Sequence, residues 1–195
     1  HSNLRRQRQM CIRDSHDRVK AEIDTERRRA IVSNHSATHL MHSALRNILG
    51  EHVQQKGSLV NEEKLRFDFS HKQKLSESEI VKIEQEVNQA ITSAEDTQII
   101  ETSIEESQKL GAIAFFGEKY GDQVRVLKIA GDYSTELCGG THVKNSSEIK
   151  SFKIISETSI SSGVRRIEAI SGDLAIKDKA DNCLLYTSDA ADEGS

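Results

Sequence analysis

One amphipathic segment constrains the fold of this 195-residue chain more than any other feature. Between residues 24 and 49, apolar side chains recur at steps of three and four residues, as on one face of an α-helix: Ile31, Ala37, Leu40, Met41, Ala44, Leu45 and Ile48. Gly50 follows this segment directly, and glycine is a common helix stop. The pattern predicts a long helix with one buried face.

The rest of the chain alternates strand-like and helix-like segments without a regular β-α-β order. Strands are predicted over residues 52–60, 64–71, 97–104, 123–130, 149–157 and 163–170, and Asn61-Glu62-Glu63 is predicted to be a hairpin loop. Ser76 and Glu79 have the spacing of a capping box and predict a second helix, which carries Ile80, Ile83, Val87 and Ile91. Residues 105–111 predict a short third helix that ends at Gly111. This order predicts an α+β fold with a largely antiparallel sheet.

Composition excludes several classes of protein. No apolar run approaches the roughly 20 residues of a membrane-spanning helix. Three widely spaced cysteines do not form the framework of a disulfide-rich protein, so we expect a reducing, cytoplasmic location. The net charge of -4 argues against unspecific binding to nucleic acid, but it leaves room for a local basic groove.

The two ends of the chain differ from its body. Residues 1–15 and 183–195 have no helical or strand period, and they resemble translated sequencing-adapter sequence. We interpret them as non-native tails rather than natural disordered ones, and we interpret residues 16–182 as one domain. Cys138 is then the one cysteine of the body. The body begins abruptly, so we expect it to be a fragment of a longer protein.

Two pairs of residues have the spacing of metal ligands. His35 and His39 lie four positions apart on the predicted long helix, so both rings leave one face, about 40° apart and one turn along. Cys138 and His142 flank the Gly139-Gly140 pair, which lets the loop fold tightly enough to aim both side chains at one point. Either pair alone is a weak signal. Together they offer three nitrogens and one sulfur, a set that suits zinc better than magnesium or calcium.

Five stretches resemble, in the same order, the editing domain of alanyl-tRNA synthetase. They read NHSATHLMHSALRNILGEHVQQKGSLV, LRFDFSH, AFFGEKYGDQVRVL, STELCGGTHV and ISSGVRRIEAISG. The resemblance covers residues 24–172. The threonyl-tRNA synthetase editing domain is similar too, but RFDFSH and CGGTH are of the alanyl type.

The resemblance implies a fold, a site and an activity. The fold is a long helix cradled by a curved, largely antiparallel sheet. The zinc ligands correspond to His35, His39, Cys138 and His142, and the active-site residues to Gln55 and Thr38. The activity is hydrolysis of mischarged tRNA(Ala), chiefly Ser-tRNA(Ala) and Gly-tRNA(Ala). The implied partners are the acceptor end of that tRNA and the rest of a synthetase in the parent chain, with no membrane and no DNA.

Further residues are candidates for supporting the metal ligands or for binding tRNA. His42 shares the helix face of the ligands, and we interpret it as a core or supporting residue because four ligands are already available. Arg165, Arg166, Lys56 and Arg66, together with Lys119, are candidates for tRNA phosphate contacts. Only one of Arg165 and Arg166 can face the pocket, because side chains alternate along a strand.

The chemistry leaves alternatives open. Bound zinc lowers the pKa of water and polarises a carbonyl, yet four protein ligands normally form a closed, structural site. A non-enzymatic, zinc-stabilised tRNA-binding module therefore stays an alternative, as does a freestanding editing protein of the same superfamily. A metallohydrolase for small esters is disfavoured, because no glutamate base lies between His35 and His39. No stretch resembles an aminoacylation core, so we do not expect this chain to charge tRNA.

Overall fold

A computed structural model describes residues 20–114 and 121–181. The predicted tails at 1–15 and 183–195, and the phosphate candidate Lys119, lie outside this part of the chain. The helices are α1 (Thr25–Leu49), α2 (Glu77–Thr92), α3 (Ile104–Lys109) and α4, which is described over residues 172–181, with a 3-10 turn at Ser146–Ile149. The strands are β1 (Gln55–Val60), β2 (Leu65–Ser70), β3 (Gln98–Ser103), β4 (Gln123–Ile129), β5 (Ser134–Leu137), β6 (Phe152–Ser161) and β7 (Val164–Ser171).

Helix α1 has the boundaries that its sequence predicts. The side chain of Asp24 caps its first turn by accepting a hydrogen bond from the backbone N–H of Arg27. Gly50 ends it with φ of +113°, a conformation that favours glycine. The central turns of the helix are buried, from Ser33 to Leu45, with the single exception of the half-buried His35.

The largest sheet has the strand order β1-β2-β7-β6, and every pairing in it is antiparallel. Leu65, Phe67 and Phe69 of β2 lie on the face that is packed into the core, as predicted, opposite Ala169, Ile167 and Arg165 of β7. The predicted hairpin loop is confirmed, because Asn61 Oδ1 accepts hydrogen bonds from the N–H groups of Glu63 and Lys64. The core also contains Leu40, Met41 and Leu45 of α1.

The remaining strands form a second antiparallel sheet with the order β3-β4-β5. The α+β class is therefore confirmed, but the strands are divided between two sheets instead of one. Leu127 and Ile129 of β4 belong to the main core, whereas Val124 and Val126 pack in a smaller cluster with Leu137. Strand β5 and helix α4 were not predicted from the sequence.

Two local features join the helices to this framework. The capping box of α2 is present, with Ser76 and Glu79 each bonded to the other's backbone N–H. Asn34 of α1 accepts hydrogen bonds from the backbone N–H and the hydroxyl of Ser171, and it donates to the carbonyl of Asn61. These bonds fix α1 against the ends of β1 and β7. None of the helices in the described ranges is long and apolar enough to cross a membrane.

Candidate metal centre

The histidine pair lies on α1, where the sequence predicted it. The rings of His35 and His39 are one helical turn apart, and their centroids are separated by 5.1 Å. His39 is buried, whereas His35 is half-buried at the edge of the cluster. The ring of His142 packs against both, with centroid distances of 4.3 Å to His35 and 4.9 Å to His39.

The Cys138–His142 loop follows β5 and is held at both of its ends. Arg125 of β4 donates hydrogen bonds from Nη1 to the carbonyl oxygens of Cys138 and Gly140, each 2.8 Å long. At the other end, the N–H of Val143 donates to the hydroxyl of Ser36, which in turn donates to a carbonyl of α1. The loop is therefore anchored both to a strand and to the helix that carries the histidine pair.

The two ligand pairs converge, although they are about 100 positions apart in sequence. One ligand atom each from His35, His39, Cys138 and His142 lies within 4.8 Å of the others. The Cys138 Sγ is 3.7 Å from His35 Nε2. Bond lengths of roughly 2.0–2.3 Å to zinc predict separations of about 4 Å or less, so the cluster is somewhat wider than a closed tetrahedral site.

The residues present fit a metal ion. Nε2 of His39 and both ring nitrogens of His142 are buried and have no hydrogen-bond partner in the described parts of the chain. Buried polar atoms without partners are costly, and a metal at the centre of the cluster would satisfy such nitrogens. Three imidazoles and one thiol are a donor set of the kind that binds zinc.

The electrostatics of the cluster favour the metal-binding form of the thiol. Burial raises the pKa of Cys138, but the imidazoles of His142, His35 and His39 beside the thiol outweigh burial and bring this pKa to about 3. The thiolate is the form of cysteine that binds metals. Burial also lowers the pKa of His142. A neutral imidazole is the form that ligates, so both shifts prepare the site for a cation.

Glu136 is a buried carboxylate that was not predicted from the sequence. Its Oε2 lies 2.6 Å from Nδ1 of His39, and its Oε1 lies 2.8 Å from Nδ1 of His42. Burial raises the pKa of Glu136, but its interactions with His39 and His42 outweigh burial, so the pKa falls. His42 is 1% exposed, which confirms its interpretation as a core or supporting residue.

A signal for Glu136 was present in the sequence. Glu136 is in β5 and Cys138 directly follows that strand, and residues two positions apart point to the same side of an extended chain. Recognising STEL as a strand would have placed Glu136 beside the candidate ligand. Arg125 was also missed, and nothing in its own segment distinguishes it from a solvated strand arginine.

The predicted catalytic residues lie outside the ligand cluster. Gln55 lines a small cavity of about 90 Å³ together with His42, Val53 and Ile113. Thr38 is buried, and its hydroxyl donates a 2.8 Å hydrogen bond to the carbonyl of Asn34 one turn earlier. Its oxygen therefore has only acceptor capacity left for a substrate.

Two of the three arginines predicted to bind tRNA, Arg165 and Arg166, pair with carboxylates. Arg165 is on the core-facing side of β7 and binds both carboxylate oxygens of Glu157. Arg166 is on the opposite face, where it binds Asp68 with hydrogen bonds of 2.7 and 2.8 Å. Arg66 lies on that same outer face, since it and Asp68 alternate with the buried phenylalanines of β2.

Lys56 differs from Arg165 and Arg166. It is exposed on β1, and its ammonium group contacts Gln54 at 3.4 Å. No ion pair of Lys56 is found in the described parts of the chain. Of the four predicted phosphate contacts that the structure describes, Lys56 is therefore the one with the most accessible charge.

Comparisons with known proteins show what the chain is similar to. Residues 124–168 match the family "Threonyl and Alanyl tRNA synthetase second additional domain". This range includes Arg125, Glu136 and the Cys138–His142 loop. The chain is 60% identical over 156 residues to the alanine–tRNA ligase of Alkaliphilus metalliredigens, and 57% identical over 161 residues to that of Alkaliphilus oremlandii. These alignments cover 80% and 83% of this chain but only 18% of each relative. The chain thus spans about a fifth of the length of these ligases, and by sequence it belongs with the editing-associated domain of alanyl-tRNA synthetases.

Proposed function

We propose that this domain hydrolyses the ester bond of mischarged tRNA(Ala), chiefly Ser-tRNA(Ala) and Gly-tRNA(Ala). The observation that carries the proposal is the convergence of His35, His39, Cys138 and His142, with buried ring nitrogens that a metal would satisfy. The similarity to alanine–tRNA ligases supports tRNA(Ala) as the partner. Zinc, when bound by these four residues, would supply polarisation of the ester carbonyl or activation of water.

The other roles in the proposed hydrolysis belong to two side chains that do not bind the metal. Gln55 has both a donor and an acceptor, so its amide is suited to hold the ester carbonyl or the attacking water. The oxygen of Thr38 keeps its lone pairs, because its proton is donated to the carbonyl of Asn34. It is therefore suited to accept a hydrogen bond from the hydroxyl of a seryl group, which an alanyl group cannot donate.

The need for such an activity follows from the limits of selective binding. A pocket built for alanine cannot exclude the smaller glycine, and it rejects an added hydroxyl only weakly. A second site must then remove what the first admits. A cavity of about 90 Å³ beside Gln55 has the scale of a small side chain rather than of a large one.

A non-enzymatic zinc-stabilised tRNA-binding module is the second candidate. Four protein ligands around one point form the coordination set of a structural zinc site, which leaves no open position for substrate. In this case zinc would hold the loop against α1, and tRNA binding would not lead to hydrolysis. We expect the domain to work in the cytoplasm in either case.

A deacylation assay separates the two functions. Ser-tRNA(Ala) and Gly-tRNA(Ala) are mixed with the zinc-loaded protein, with Ala-tRNA(Ala) as the substrate that should survive. The hydrolase proposal expects release of serine and glycine, and loss of both zinc and hydrolysis in Cys138→Ala. Ser58→Ala, at an exposed position of β1, serves as the control and should behave as the parent protein. Binding of tRNA without ester cleavage would favour the module.

A further inference from the structure

We propose that Glu136 is a two-ended positioning residue, which fixes the orientation and the tautomer of both His39 and His42. Through His39 it acts on the metal centre, and through His42 it acts on the cavity that Gln55 lines. The part that concerns the cavity rests on the proposed hydrolytic function. The part that concerns the metal centre does not.

The geometry gives each carboxylate oxygen its own imidazole. Oε2 contacts Nδ1 of His39 at 2.6 Å, and Oε1 contacts Nδ1 of His42 at 2.8 Å. A carboxylate accepts hydrogen bonds but has no proton to donate, so both Nδ1 atoms carry the proton. In a neutral ring the lone pair is then on Nε2, and in His39 this is the buried nitrogen that fits a metal.

Burial makes the arrangement rigid. The exposed fractions of His39, His42 and Glu136 are 4%, 1% and 1%. A buried carboxylate needs hydrogen-bond donors, and the two imidazoles supply one for each oxygen. The ring of His42 is held further by Phe67, at a centroid distance of 5.2 Å. His39 and His42 are also three residues apart on α1, so the helix fixes their separation.

The same three residues link the metal centre to the cavity. His39 is a metal-facing residue, and His42 lines the cavity together with Gln55. A change in the Glu136 carboxylate therefore displaces groups in both places. In metal sites, partners that orient the ligating histidine typically change metal affinity by about 10- to 100-fold when they are mutated.

The tautomers are measured directly on the unmutated protein. Long-range proton–nitrogen NMR spectra of the zinc-loaded, nitrogen-15-labelled chain distinguish protonated from unprotonated ring nitrogens. We expect a proton on Nδ1 of both His39 and His42, and none on Nε2 of His39, which faces the metal centre. A bare Nδ1 in either ring would overturn the proposal.

Substitution then tests the consequence for metal affinity. Glu136→Gln replaces two acceptors by one acceptor and one donor, so only one imidazole keeps its acceptor. We expect the zinc dissociation constant, measured against a competing chelator, to rise by about 10- to 100-fold. The matched control is Glu101→Gln, an exposed carboxylate on β3. Equal affinities in these two variants would contradict the proposal.

A second pair of variants keeps the test decisive if Glu136→Gln does not fold. His42→Asn retains an N–H donor near the place of Nδ1, whereas His42→Phe keeps a ring and removes the donor. We expect the asparagine variant to bind zinc as the parent does and the phenylalanine variant to bind it more weakly. Identical zinc affinities would show that the hydrogen bond to His42 has no effect on the centre. None of these readouts depends on ester hydrolysis, so they are independent of the proposed function.

Discussion

A Cβ atom on Gly140 would lie 2.3 Å from Cε1 and 2.9 Å from Nδ1 of His35, so this close approach of loop and helix requires glycine. The requirement is one of space, because Gly140 is not among the glycines with positive φ. We expect Gly140→Ala to push His35 or the loop away from the centre. Zinc affinity should fall by about 10- to 100-fold, comparable to the loss of a group that orients a metal ligand.

The adjacent glycine is a matched control for this prediction. A Cβ on Gly139 would meet no atom within 4 Å, and its φ is not positive either. Gly139→Ala should therefore bind zinc with the parent affinity, as measured by titration against a coloured chelator. A similar loss in both variants would mean that loop flexibility, and not contact with His35, determines the effect.

Gln55 is expected to separate catalysis from metal binding. It lines the cavity beside His42 but is not one of the four converging residues. Gln55→Ala should keep full zinc occupancy and normal folding, and hydrolysis of Ser-tRNA(Ala) should fall roughly 10- to 1000-fold, as for loss of an oxyanion-hole donor. Gln85→Ala, on the exposed face of α2, is the control. Hydrolysis at the parental rate would return Gln55 to the class of ordinary strand residues.

Lys56 is expected to contribute to tRNA binding through charge alone. Its ammonium group is exposed and has no described carboxylate partner, whereas Arg165 is held by Glu157. Lys56→Ala should weaken tRNA binding and lower the slope of log affinity against log salt by about one phosphate contact. Arg165→Gln should change this slope less. Titrations of uncharged tRNA(Ala) at several salt concentrations provide the comparison, and the opposite ranking would exclude Lys56 as the main contact.

Much of the fold was predictable because its signals are local. The 3.6-residue period of α1, its stop at Gly50 and the Ser76–Glu79 capping box are all read from adjacent residues, and all are confirmed. The antiparallel strands β2 and β7 show a period of two. The division into two sheets was not predictable, because which strands pair depends on contacts between distant segments.

The candidate site was predictable only in part, for the same reason. The ligand pairs have characteristic spacings, and their convergence is found as expected. Glu136 was missed because glutamate side chains are usually exposed to solvent, and its burial depends on two histidines about 95 positions away. The pairing of Arg166 with Asp68 is likewise a long-range contact. The sequence alone therefore did not show that the charge of Arg166 is already paired with a carboxylate.

The tails provide a test of the predicted domain boundaries. Residues 1–15 and 183–195 carry no periodic apolar face, so they should contribute little to the hydrophobic core. Removing both segments should leave the melting temperature of the zinc-loaded protein unchanged. A decrease of several degrees would show that they are native parts of the fold.

The Asp68–Arg166 ion pair predicts a pH-dependent contribution to stability. The hydrogen bonds from Arg166, with its charge, lower the pKa of Asp68 below its usual value, against the opposing effect of burial. A carboxylate with a lowered pKa in the folded state stabilises the fold above its unfolded pKa, about 3.9, and loses this contribution as the pH falls through the folded value.

Arg166→Gln should therefore lower the free energy of unfolding at pH 7, and the free energies of unfolding of the variant and the parent should converge in acid. The effect should be modest, as for other solvent-accessible ion pairs. Urea unfolding at pH 7 and in acid, with chelator present so that metal loss does not contribute, measures the difference. Arg28→Gln, at an exposed position of α1, controls for loss of a positive charge. An equal effect of Arg166→Gln at both pH values would assign its cost to lost packing instead of to the ion pair.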